Sequence, residues 1–431
     1  EIRENGYYYI DKSGLIAELL RNEATKVTLI TRPRRFGKTL AMSMLADFFD
    51  IRRENRGYFS GLEIEQHKGL CKDWMNQYPV LFLSLKDVDG TNFNNAFELL
   101  KFVLAQCCEN HDYLLESNKI SEQHKNLFNS VRNRTASVTD VQGFILVLTN
   151  MMQVFYNKSV ILLLDEYDVP LAKASSNGYY KEMLEIKVMM STALKDNPAI
   201  KFAIVTGCLR IAKESIFTGT NNFVSDTITS SGLNEFFGFT QKEVNGMLAD
   251  VDAEGKADEV KKWYDGYHFG DYDVYCPWDM MNYLRDIQRH PTASPVGYWK
   301  NTSDNAIIRS FIDYAGSNIT EKIETLLSGG YIIQHINENL TYDYLHSSEE
   351  NLWSILYLTG YLTRAREEAV KKELPEDLTA LMIPNKEIRE IFETTVKKWF
   401  SDHAREWNRE KLFEAVWNGD SEKLTAEMTR L

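Results

Sequence analysis

Apolar residues along the chain follow two patterns. Short unbroken runs rich in β-branched residues occupy residues 26–31, 79–85, 159–164 and 200–206 and predict strands. The third, Val160-Ile161-Leu162-Leu163-Leu164, has no polar alternation, which suits a strand buried on both faces of a parallel sheet. Between the runs, apolar residues recur at helical spacing. Residues 38–49 and 179–196 read as single helices. Residues 91–156 read as mainly helical with polar breaks near 117–124 and 133–140. Strands alternating with helices predict an α/β doubly wound core over residues 1–236.

The pattern changes at Phe237-Gly238-Phe239-Thr240. Thr240 and Glu243 have the spacing of a capping box, so a helix is expected to start there. Residues 237–431 read as a second, mainly helical domain rich in Trp and Tyr. Pro291, Pro295 and Gly329-Gly330 punctuate it. Residues 349–365 and 386–400 read as amphipathic helices, and 409–431 as two short ones.

The strand ends carry the candidate chemistry. After the first comes Arg32-Pro33-Arg34-Arg35-Phe36-Gly37-Lys38-Thr39, between a strand and a helix. A phosphate-binding loop reads G-x-x-x-x-G-K-[ST] in that context, and here Arg32 replaces the first glycine. Backbone N–H groups across Arg34, Arg35, Phe36, Gly37, Lys38, Thr39 and Leu40 would cradle phosphates. Lys38 would reach the β and γ phosphates, and Thr39 would bind Mg²⁺. Gly37 would supply a φ that side chains disfavour. The bland reading is a basic turn that happens to end in Gly-Lys-Thr.

The third strand ends in Asp165-Glu166. Asp165 would hold Mg²⁺ through water, and Glu166 would activate the attacking water. A plain acidic turn that includes Asp168 is the alternative. The fourth strand ends in Thr206-Gly207-Cys208-Leu209-Arg210. Thr206 could sense the γ-phosphate and Arg210 could neutralise charge developing on it. The blander reading is a left-handed turn at Gly207 with Arg210 solvated.

Composition narrows the class. The chain has 431 residues with 44% apolar and 12% aromatic content, so it can build two or three packed domains. That content excludes disordered, collagen-like and coiled-coil chains. The net charge is −13, which argues against a wholly polyanion-binding surface. Residues 1–60, however, hold eleven Lys and Arg against eight Asp and Glu. Anion handling is therefore expected near the N-terminus. Arg32, Arg34 and Arg35 there could serve phosphate, a neighbouring protomer, nucleic acid or internal salt bridges. Five cysteines without a CxxC pair and eight unclustered histidines predict neither a disulfide framework nor a structural zinc. No signal peptide or membrane-length apolar stretch stands out, and a reducing cytoplasm is the simplest compartment. Glu185-Ile186-Lys187 matches a fragment of a nuclease signature but sits in a helical run, where it reads as helix surface. Trp263-Tyr264-Asp265-Gly266-Tyr267 reads as interdomain packing, with base binding the lesser alternative.

The ordered motifs resemble the bacterial AAA-ATPase-like family, whose members often carry a C-terminal PD-(D/E)XK nuclease domain. The match runs from Tyr8-Tyr9-Ile10-Asp11-Lys12-Ser13 through Thr31 to Leu40 (TRPRRFGKTL). It continues through Leu164 to Leu171 (LDEYDVPL), Thr206-Gly207, Glu214-Ser215-Ile216-Phe217 and Tyr298-Trp299-Lys300-Asn301 to Ile383-Pro384-Asn385. The family's Asn-Pro-Trp-Ser stands here as Cys276-Pro277-Trp278-Asp279. The resemblance implies a P-loop NTPase (RecA/AAA-like) of the signal-transducing kind with an additional strand, then a helical or winged-helix region. It also makes the loop arginine normal, favours ATP over GTP, and places a nuclease domain beyond residue 431. The reading is an ATP-hydrolysing switch for a nuclease or other partner. The alternatives are a regulatory scaffold that binds ATP or ADP with negligible turnover, and a DNA-binding ATPase. A homo-oligomer is an open expectation.

Overall fold

The computed structural model describes residues 2–21, 25–210, 222–299, 317–340, 348–370, 374–375, 377–406, 416–423 and 425. Its core is a parallel sheet of β1 (Val27–Thr31), β2 (Val80–Ser84), β3 (Val160–Asp165), β4 (Ile200–Gly207) and β5 (Phe223–Asp226), in spatial order β2-β3-β4-β1-β5. The first four coincide with the apolar runs. β5 went unforeseen because its four residues end in Ser225-Asp226 and show a strand only by pairing with β1. β4 separates the strand entering the basic loop from the strand ending in the acids. That inserted strand makes this the α/β P-loop NTPase sheet expected above.

All six residues of β3 are buried, as its unbroken run requires. Ile161 and Leu163 face one apolar layer, and Leu162 and Leu164 the other. The first layer holds α1 (Gly14–Arg21), α2 (Lys38–Phe49) and α3 (Lys68–Trp74). The second holds α4 (Phe93–Glu109), α5 (Glu122–Arg132), α6 (Val138–Tyr156), α7 (Val169–Asn177) and α8 (Tyr180–Leu194). Among the described residues α6 is long and apolar enough to cross a membrane, which the sequence reading did not anticipate. Here Phe144, Ile145, Leu148, Met151 and Met152 pack it into the second layer. Glu185-Ile186-Lys187 lies on α8 with Ile186 inward and Glu185 bonded to Gln142, a helix surface as read.

The capping box at Thr240 and Glu243 forms and starts α9 (Gln241–Ala249). α10 (Ala257–Tyr264), α11 (Pro277–Arg289), α12 (Ser317–Leu327), α13 (Glu349–Leu358) and α14 (Lys386–Glu406) come after it. Two small antiparallel sheets lie among them. One joins β6 (Phe239–Thr240), β8 (Tyr272–Tyr275) and β7 (Tyr267–Phe269); the other joins β10 (Thr363–Arg364), β11 (Leu378–Met382) and β9 (Ile332–His335). The run 349–365 is therefore not one helix. Gly360, at φ 86, ends α13 in the left-handed region, and β10 begins three residues later. Of 409–431, only 416–423 and 425 are described, so the two helices expected there lie largely outside the described residues. Around the second small sheet the chain runs α12, β9, α13, β10, β11, with β11 central. Its α13 is buried from Leu352 through Leu358. The change of architecture near residue 237 is not a gap in packing, because one apolar cluster runs from the large sheet through Phe36 to Tyr267, Trp299 and Phe392.

Candidate nucleotide site

The basic loop leaves β1 at the carboxyl edge of the sheet. Gly37 sits at φ 84 and starts α2, whose first turn has neither a capping side chain nor an acid. The first N–H groups of that helix are therefore open to an anion. Lys38 is buried, and its ammonium donates to the carbonyls of Arg32 at 3.1 Å and Pro33 at 3.2 Å, closing the loop around it. Glu166 Oε1 lies 3.3 Å from the Lys38 ammonium. Desolvation pulls that ammonium down, but Cys208, Glu166 and Asp168 more than offset it and hold Lys38 at about 12.

The predicted strand ends converge on Asp165, which is fully buried. Its Oδ2 accepts from the Thr39 hydroxyl at 2.9 Å and the Ser84 hydroxyl at 3.2 Å, and its Oδ1 from the Thr206 hydroxyl at 2.6 Å. Ser84 was not read from sequence. The signal was its place at the end of β2, where the parallel register sets it beside Asp165. Thr39 and Asp165 offer hard oxygen donors to a cation, and Mg²⁺ takes a few such ligands, with water and phosphate completing its shell. The residues present fit that ion.

Glu166 has φ 52, a left-handed conformation uncommon for a non-glycine residue. Its carboxyl is pushed up, by burial first and by Asp168 and Asp165 beside it, while Lys38 opposes. A raised carboxyl in a left-handed turn is the setting of a candidate proton acceptor. Asp168 accepts from the backbone N–H groups of Cys208 and Leu209, each at 3.0 Å, so it builds the turn after β4. Gly207 is needed there for space and not for a left-handed φ, correcting the bland sequence reading. A Cβ would come within 2.6 Å of Asp168 Oδ1 and the Tyr167 ring. Arg210 is half-buried just past this turn, and no described contact ties it to Lys38, Asp165 or Glu166. Residues 214–217 and 221 of the resemblance lie outside the described residues.

Other loop residues face away from the crevice. Arg32 is fully buried, donates to the Asp226 carbonyl at 3.1 Å, pairs with the Asp226 carboxylate, and lies 5.1 Å from the Phe237 ring centroid. Of the roles open to the loop arginines, Arg32 takes the internal salt bridge. The Phe36 side chain is fully buried against Tyr267 and Phe269, at ring separations of 4.9 and 5.0 Å. As a nucleotide-binding candidate, Phe36 is left with its backbone alone. Arg34 and Leu40 are exposed at the loop. Arg35, at φ 72, sets its guanidinium 5.1 Å from the Trp278 ring centroid. Tyr267, from the aromatic motif read as interdomain packing, does pack at that seam.

The chain is 27% identical over 305 residues to the uncharacterised protein in the vnfD 5′ region of Azotobacter chroococcum mcd 1, over 70% of this chain and 52% of that protein. It thus spans about half the length of that curated relative. A solved structure of the Aeropyrum pernix ORC2 protein, in ADPNP–ADP complexes, aligns over 91% of this chain and 97% of its own at 11% identity, with a TM-score of 0.32. The family model described as a predicted AAA-ATPase matches residues 1–217, half of the chain. With the loop of residues 32–39 and the acids closing β3 inside that span, the chain belongs to the predicted AAA-ATPase family.

Proposed function

We propose that this chain binds ATP with Mg²⁺ and hydrolyses it as a switch. The observation that carries the reading is the meeting of Thr39, Ser84 and Thr206 on Asp165, beside the Lys38–Glu166 pair. Phosphates would enter at the start of α2 and draw the Lys38 ammonium to the β and γ oxygens, releasing Glu166. Thr39 and Asp165 would hold Mg²⁺, which would supply charge neutralisation to the phosphate oxygens. Glu166 then takes the proton of a water attacking the γ-phosphorus. The new P–O bond forms as the β–γ bridging bond breaks, leaving ADP and phosphate. Thr206 would report the γ-phosphate, and Arg210 would stabilise its charge by swinging inward. Residues 237–431 would pass the change to an effector, for which the family resemblance suggests a nuclease.

The test is ATP binding and phosphate release by the wild type, Lys38→Ala and Glu166→Gln. Lys38→Ala should lose binding. Glu166→Gln should still bind while turnover falls about 10²- to 10⁴-fold, the usual share of a positioned base. If the wild type binds ATP but releases no phosphate, the non-hydrolysing regulatory module replaces the switch.

A further inference from the structure

Glu166, at φ 52, occupies a backbone region that a side-chain-bearing residue keeps only where its surroundings enforce it. Its neighbours on both sides are fixed. Before it, the Thr39, Ser84 and Thr206 hydroxyls hold the Asp165 carboxylate, and the Asp165 carbonyl accepts the Leu85 N–H at 2.9 Å. After it, Tyr167 and Asp168 are tied to the turn that leaves β4. The Tyr167 N–H donates to the Thr206 carbonyl at 3.0 Å, and the Tyr167 hydroxyl donates to the Leu209 carbonyl at 2.7 Å. Asp168 Oδ2 accepts the N–H groups of Cys208 and Leu209, each at 3.0 Å. Tyr167 is 0% and Asp168 1% exposed, so these bonds are made away from water, where cutting one is costly.

The ordinary work of an aspartate at this position would be to cap the helix it precedes. Asp168 stands at the start of α7, yet its side chain makes no capping bond there. It turns to β4 instead. Gly207 is what lets the two stretches come so close, since a Cβ on it would lie 2.6 Å from both Asp168 Oδ1 and the Tyr167 ring. The ion partner of Glu166 rests on the same turn: the Lys38 ammonium donates to the Cys208 sulfur at 3.6 Å.

Resting on the hydrolysis reading above, we propose that Tyr167 and Asp168 are positioning residues: by clamping the chain after Glu166 to the turn after β4, they hold the Glu166 carboxyl in its left-handed place beside Lys38 and Asp165. The turn that carries Thr206 and the proton acceptor are thereby one mechanical unit.

The test measures single-turnover phosphate release, together with Mg²⁺-ATP affinity read with a fluorescent ATP analogue, on variants shown by thermal melting to be folded. Tyr167→Phe deletes the hydroxyl alone. Asp168→Ala deletes the acceptor of two N–H groups. Gly207→Ala pushes both side chains off the turn. Each should slow release at least about tenfold, the scale of a misplaced reacting group, and leave affinity within about twofold of wild type. In the Glu166→Gln chain the same changes should slow release no further, because the group they position is already gone. A loss that repeats in the Glu166→Gln chain would overturn the proposal, as would a loss of affinity in place of rate. Unchanged release in Tyr167→Phe and Gly207→Ala would overturn it too, and those two variants decide if Asp168→Ala does not fold. A wild type that binds ATP and releases no phosphate fails the hydrolysis reading and this proposal with it; a hydrolysing wild type with unaffected clamp variants fails this proposal alone.

Discussion

Burial pushes the carboxyls of Glu387 and Asp279 up, and that has a cost readable by titration. In the unfolded chain both titrate near the ordinary carboxyl values of about 4. Folded, burial raises both, with Asp279 adding to the rise of Glu387, which reaches about 9. Arg35 opposes the rise, and Cys276, Tyr267 and Tyr361 are the other titratable groups at this seam. The folded chain therefore holds more protons than the unfolded chain above the ordinary carboxyl range. Stability from this pair should fall as pH rises from about 4 to about 9. Glu387→Gln removes the titration but keeps the oxygen that accepts from the Trp299 backbone N–H. Thermal unfolding across that range should show the wild-type midpoint declining, and the variant declining less and melting higher than wild type at the alkaline end. Parallel curves would refute this account of the pair. None of this was legible in the sequence. Asp279 and Glu387 are 108 positions apart and carry ordinary helix-start signals; only the tertiary fold buries them together.

Among elements, the phosphate loop does two jobs with its two halves. Gly37, Lys38 and Thr39 face the crevice, while Arg32, Pro33, Arg35 and Phe36 are gripped from outside. Asp226 and Phe237 hold Arg32, Trp278 holds Arg35, and β7 holds Phe36. Gly360 packs on Pro33 so closely that a Cβ there would lie 3.0 Å from the Pro33 side chain. The loop is thus a wedge between sheet and second region. Phe36→Ala should cost about 3–5 kcal/mol of stability, as for other fully buried aromatics. Urea unfolding measures it, and a loss under about 1 kcal/mol would show that the contact with Tyr267 and Phe269 is not a packed seam in solution. The elements most legible in sequence were those with a clear local pattern, the helical spacing of α2 and the unbroken apolar run of β3. β5 and the two small sheets were missed because their strands run two to five residues and gain definition from their partners.

Across the whole molecule, the basic excess of residues 1–60 takes on a different meaning. Arg32 pairs with Asp226, Lys38 with Glu166, Lys12 with Glu243, and Arg52 and Arg53 with nearby aspartates. Arg3 bonds the carbonyls of Tyr58 and Ser60. These charges tie the first region to itself and to the later elements of the chain, leaving few to neutralise a polyanion. In the later region, α13 is buried at every residue from Leu352 through Leu358 and cannot enter a groove. This chain should therefore show no binding to duplex DNA at about 0.15 M salt, and at most weak, steeply salt-dependent binding below about 0.05 M. Tight binding in a filter or anisotropy assay at the higher salt would overturn that expectation and restore the DNA-binding reading. The sequence by itself determined the sheet's four main strands, the loop and helix that begin the site, and the acids that close β3. Each is encoded locally, by an apolar run or by a motif whose spacing needs no distant partner. Only the tertiary structure decided that Ser84 joins Asp165, that Arg32 is a strut, and that Asp279 and Glu387 are buried together. Those roles depend on strand register and on the burial of charge, and both are properties of residues that meet across long stretches of chain.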